Sequence, residues 1–117
     1  MRHREFISEN MPAVAVACGE HLDTLYGEEL QNIPKAQREQ VLSAVFGEMH
    51  DWAVNHNPVG APSHVSERFI RKGLEAAKNK VQHNPPAGID PLTVLTIISI
   101  LYRVVSWLVR WFQGGET

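Results

Sequence analysis

The sequence predicts an all-α fold, and three observations favour this class. No segment alternates apolar and polar residues as a half-buried β-strand does. Clusters of proline, glycine and asparagine interrupt the chain at residues 32–34, 57–62 and 84–88. Between these clusters, apolar residues recur every three or four positions, the period of an amphipathic helix. We therefore expect about four helices of roughly 20 residues, each roughly 30 Å long.

The first two helices are expected over residues 12–31 and 35–55. Pro12 suits a first helical turn, where its missing N–H donor has no partner to lose. The apolar stripe of the first helix is broken and consists of Val14, Cys18, either Leu22 or Leu25, and Leu30. The second helix has a clear apolar face made of Val41, Leu42, Val45, Phe46, Met49, Trp52 and Ala53.

The third helix is expected to begin at Ser63 or Ser66 and to end near residue 82. Its narrower apolar stripe consists of Val65, Phe69, Ile70, Leu74, Ala77 and Val81. The fourth helix has the best-defined start, because Asp90 is a favourable N-cap and Pro91 follows at the first helical position. It is expected to run unbroken to residue 112 and to end before Gly114 and Gly115.

The fourth segment is strongly apolar apart from one polar stripe. The stripe residues follow one another at spacings of three or four and are Thr93, Thr96, Ser99, Arg103, Ser106 and Arg110. The rest of the circumference carries Leu, Ile, Val, Trp and Phe. We therefore divide the chain into a water-facing helical unit, residues 1–85, and an apolar C-terminal helix, residues 90–113, in which the polar stripe mediates helix association.

A lipid bilayer is the first environment that accepts such a helix. Summed over the segment, the favourable free energy of transferring the apolar residues into the bilayer exceeds the unfavourable free energy of transferring one central arginine. Aromatic and basic residues are placed as membrane-interface residues would be, and these are Trp107, Trp111, Phe112, Arg71, Lys72, Lys78 and Lys80. The basic residues precede the segment, so the N-terminal part is expected to be cytoplasmic. The sequence thus predicts a membrane-associated anchor, scaffold or pore-type subunit that self-associates.

Two other environments stay open. In the first, a soluble protein, cytoplasmic or within a larger particle, buries the apolar helix in a homo-oligomer or against other helical subunits. One chain is expected to be too small to cover the apolar arc alone. In the second, the helix lies in the plane of a membrane surface, which its narrow polar face disfavours.

Composition and motifs exclude several functions. The chain has 117 residues, enough for one domain, and a net charge of −2, which lacks the positive excess of nucleic-acid binding. Its single cysteine, Cys18, forms no intrachain disulfide and no thiolate cage. Glu20 with His21, and Glu48 with His50, lack the spacing that puts both metal ligands on one helix face. We expect no catalytic residue, cofactor, metal or small-molecule substrate; a helical-bundle metalloprotein is the weakest alternative.

Overall fold

The computed structural model describes the backbone of residues 3–56 and 66–112 and the side chains of residues 15–52, 55 and 66–110. Within these ranges the regular secondary structure is entirely α-helical, which confirms the predicted fold class. The helices are α1 (His3–Leu30), α2 (Lys35–His56), α3 (Glu67–His83), α4 (Pro91–Arg103) and α5 (Val105–Phe112).

Helix α1 begins before Pro12, so the predicted start is wrong. The residues before Pro12 include Arg4, Glu5 and Glu9, whose residue types favour helix. The helix is kinked at Tyr26, whose φ and ψ are −127° and 26°. The stripe residues of α1 that lie in the core are Cys18, Leu22 and Leu30, whereas Leu25 is exposed.

Helices α2 and α3 follow the predicted bounds closely. Ser66 is the N-cap of α3, and its hydroxyl oxygen accepts a hydrogen bond from the Phe69 N–H at 3.1 Å. The alternative start at Ser63 lies outside the described residues. The predicted apolar face of α2 is buried from Val41 to Met49, and Trp52 is half-buried. The buried residues of α3 are Ile70, Gly73, Leu74, Ala77 and Val81.

The predicted single C-terminal helix is wrong, because it is broken into α4 and α5 at Val104. The predicted start is confirmed: the Asp90 carboxylate accepts a hydrogen bond from the Leu92 N–H at 2.8 Å. At the break, Val104 has φ −109° and ψ 22°, and its N–H donates to the Leu101 carbonyl at 3.1 Å. The predicted end at Gly114 and Gly115 lies outside the described residues.

The five helices share one hydrophobic core. Helix α2 packs against α1 and α3, α3 packs against α4 and α5, and α5 also contacts α1. The C-terminal segment contributes Val94, Ile97, Ile98, Ile100, Leu101, Val104, Val105 and Leu108, each at most 4% exposed. The structure therefore differs from the expectation that one chain is too small to cover this segment: the helices of the same chain cover these side chains.

Candidate interaction surface

The predicted association stripe lies on the outside of α4 and α5. Ser99, Arg103, Ser106 and Arg110 are exposed, and the two threonines are half-buried. The Thr96 hydroxyl donates to the Leu92 carbonyl at 2.9 Å, and the Ser99 hydroxyl donates to the Thr96 carbonyl at 2.8 Å. Because these two hydroxyls find acceptors in their own helix, they need no second helix to satisfy them. The two arginines are the stripe's charged groups.

Arg103 is held in place by two residues at the end of α1. Its guanidinium donates to both carboxylate oxygens of Glu29, at 2.9 and 3.2 Å. Its Cζ atom lies 5.6 Å from the centre of the Tyr26 ring, within cation–π range. Each contact is exposed, so each contributes only about 0.2–1 kcal/mol. Together they fix the orientation of the Arg103 side chain beside the Tyr26 ring.

A second link between α1 and the C-terminal helices is a ring stack, here with α5. The His21 imidazole and the Trp107 indole are nearly parallel, with an interplanar angle of 9° and ring centres 4.6 Å apart. Partial burial lowers the pKa of His21, and the positive charge of Arg110 lowers it further. Both effects favour the neutral imidazole, which stacks on the indole without carrying a desolvated charge.

These contacts define a surface that we call the aromatic–arginine face: His21, Tyr26, Arg103, Trp107 and Arg110. It runs along the seam between α1 and the C-terminal helices, and Glu29 lies at one end. The stripe arginines were predicted from the sequence, but their α1 partners were not. Residues 74 or more positions apart in the chain become neighbours here, and no local spacing signals such pairs.

The described residues of the predicted membrane interface lie on two different helices, α3 and α5. The described basic residues lie on α3, where Arg71 pairs with Glu67 at 2.9 Å, Lys80 lies 3.8 Å from Glu48, Lys72 is exposed and Lys78 is half-buried. Trp107 is half-buried in the ring stack with His21. The side chains of Trp111 and Phe112 lie outside the described residues. Among the described helices, none has both the length and the apolar character needed to cross a bilayer.

Cysteine and histidine side chains are the remaining candidates for chemistry. Cys18 is fully buried, and burial raises the pKa of its thiol to about 12. His50 Nδ1 lies 3.6 Å from Asp51 Oδ1, and His83 Nδ1 lies 2.6 Å from the Asn79 carbonyl. Within the part of the chain whose side chains are described, no three His, Cys, Asp or Glu residues group closely enough to hold a metal ion.

One further feature was not predicted from the sequence. A cavity of about 100 Å³ opens between α1 and α2, near the turn that joins them, and Ile97 of α4 also lines it. Its lining combines buried leucines with charged residues at the rim. Helical periodicity assigns those leucines to the core and cannot show that they leave a space.

Comparison with known proteins gives no match: no protein-family model, no curated protein and no solved structure matches this chain. The fold therefore defines the class, an all-α protein in which five described helices share one core. What the protein does has to be inferred from its surface.

Proposed function

We propose that this chain is a non-enzymatic helical interaction protein that self-associates through the aromatic–arginine face. One observation carries the proposal: arginine, tyrosine and tryptophan side chains are held together on the surface by contacts between distant helices. These three residue types are enriched among the few residues that contribute most of the binding energy at protein–protein interfaces. A helix surface that only faces solvent does not require such a cluster of aromatic and arginine side chains.

Side chains of the face already have partners within the chain before a second copy binds. Arg103 is fixed by Glu29 and Tyr26, and the Trp107 indole is fixed against His21. Immobilising a rotamer-rich side chain at an interface costs about 0.5–1.5 kcal/mol. Since the contacts within the chain already favour these side-chain orientations, association through the face avoids part of that entropic loss.

The charges along the face suit a second copy of the same chain. The Tyr26 end carries exposed Glu28 beside the Glu29–Arg103 ion pair, and so one net negative charge, whereas the His21 end carries Arg110. In a two-fold dimer, each surface meets itself in the opposite direction. The acidic end of one copy then lies opposite Arg110 of the other, with the exposed Ser106 between the two ends.

A membrane anchor is the second candidate function, and the apolar composition of α4 favours it. In the anchor, Ile97, Ile98 and Leu101 would leave the core and meet lipid, which requires α4 to separate from α3 and α2. Association through the aromatic–arginine face requires no such rearrangement and keeps these side chains at no more than 1% exposure. The geometry therefore supports the face better than the anchor.

Sedimentation velocity of the full chain in detergent-free buffer tests the proposal. We expect a dimer or larger discrete species, which Arg110→Glu shifts toward monomer because it places like charges opposite each other. Arg68→Glu is the matched control: it makes the same charge change at an exposed position on α3 and should leave the assembly intact. A monomer at every concentration contradicts self-association, and equal effects of the two variants contradict association through this face. Recovery only in detergent favours the anchor.

A further inference from the structure

The cavity between α1 and α2 is built by two features of α1. Gly19 lines it and contributes no side chain: a Cβ atom there would lie 3.6 Å from Leu42 Cδ1. The kink at Tyr26 lies between Leu22 and Leu30, which line the cavity from either side of the bend. The space thus arises from the missing side chain and the bent helix.

The floor of the cavity is apolar and its size selects a small group. Leu22, Leu30, Leu42 and Ile97 line it and are themselves at most 2% exposed. Apolar cavities of roughly 150 Å³ in proteins accept benzene. At about 100 Å³, this one suits a branched aliphatic group of about four carbons, whose volume does not exceed that of the ring.

The rim carries an excess of negative charge. Arg38 is engaged twice, by an ion pair with Asp23 and by a hydrogen bond from its Nε to the Ile33 carbonyl at 3.1 Å. Among the residues whose side chains the structure describes, Glu20 and Glu39 have no ion-pair partner, and neither has Lys35. Two carboxylates therefore face one ammonium group at the mouth.

We infer that the cavity binds a small amphipathic cation: a compact branched aliphatic group seated on the leucine floor, with an ammonium head at the mouth beside Glu20 and Glu39. Side chains of α1, α2 and α4 shield the apolar group from water. The ammonium head stays partly hydrated between the two carboxylates. This site is separate from the aromatic–arginine face, and ligand binding there does not depend on self-association.

Three probes of the same shape and different charge test the inference. Isopentylammonium, isopentanol and isovalerate are titrated into the full chain, and amide chemical shifts are followed by NMR. An exposed ion pair is worth up to about 1 kcal/mol, so the ammonium should bind up to about fivefold tighter than the alcohol, and the carboxylate more weakly than either. Shifts should centre on residues that line the cavity in α1 and α2.

Two variants locate the site. Gly19→Met fills the cavity and should abolish binding of all three probes. Gly47→Met places the same side chain on α2, where the added Cβ has open space, and should leave binding unchanged. Should Gly19→Met fail to fold, the double variant Glu20→Gln, Glu39→Gln tests the head-group contact: the preference of ammonium over alcohol should disappear. Absence of binding to the unmodified chain, equal binding by the two methionine variants, or tighter binding of isovalerate overturns the inference.

Discussion

His21 shows, at the scale of single residues, how the fold sets the chemistry of one side chain. In the sequence it stands next to Glu20 and two residues from Asp23, surroundings that suggest a solvated or metal-binding histidine. In the structure it stacks on Trp107 near Arg110, and its pKa is lowered. Local sequence could not predict this, because both neighbours come from the opposite end of the chain.

The lowered pKa of His21 makes stability depend on pH. The ordinary value of 6.5 applies to the unfolded chain, and the folded protein binds the proton only at lower pH. The neutral imidazole therefore contributes stability above pH 6.5, and this contribution is lost as the pH falls toward the pKa of the folded state. His21→Phe keeps a stacked ring that does not titrate.

We expect the free energy of unfolding to fall less for His21→Phe than for the unmodified chain between about pH 7.5 and about pH 5. Urea titrations at the two pH values measure this difference, and the remaining histidines are common to both proteins. Identical losses in the two proteins would show that His21 titrates alike in the folded and unfolded chains.

At the scale of helices, the sequence predicted the regular elements and missed the irregular ones. The Pro, Gly and Asn clusters separate α1 from α2, and α3 from α4, and the caps at Ser66 and Asp90 are local signals that the structure confirms. The break at Val104 has neither proline nor glycine beside it. It keeps Val104, Val105 and Leu108 in the core, and such tertiary packing has no local signature.

Two leucines in the C-terminal segment distinguish the effect of packing in the core from the effect of apolar composition alone. Leu108 is fully buried in α5, whereas Leu92 is 70% exposed in the first turn of α4. We expect Leu108→Ala to lower the free energy of unfolding by about 2–5 kcal/mol, because it leaves a cavity. Leu92→Ala should change it by no more than about 0.5 kcal/mol. Chemical denaturation of both variants checks this, and equal effects would place α5 outside the core.

At the scale of the whole molecule, the apolar C-terminal segment belongs to the same core as α1, α2 and α3. Of the buried apolar residues in the described chain, nine follow Asn84 and twelve precede it. Sequence periodicity identified nearly all of these positions as apolar faces. It could not show that the faces cover one another, because a surplus of apolar surface looks the same whether lipid, another subunit or the same chain covers it.

Removing the C-terminal helices tests this shared core most directly. Burying one large apolar side chain contributes about 1.5–3 kcal/mol, so losing nine removes burial free energy comparable to or larger than the net stability of about 5–15 kcal/mol that a typical domain has. We expect a chain that ends at Asn84 to lose cooperative thermal unfolding by circular dichroism, whereas the full chain unfolds in one transition. A truncated chain that stays helical and melts cooperatively would contradict the account and make residues 1–85 an independent unit.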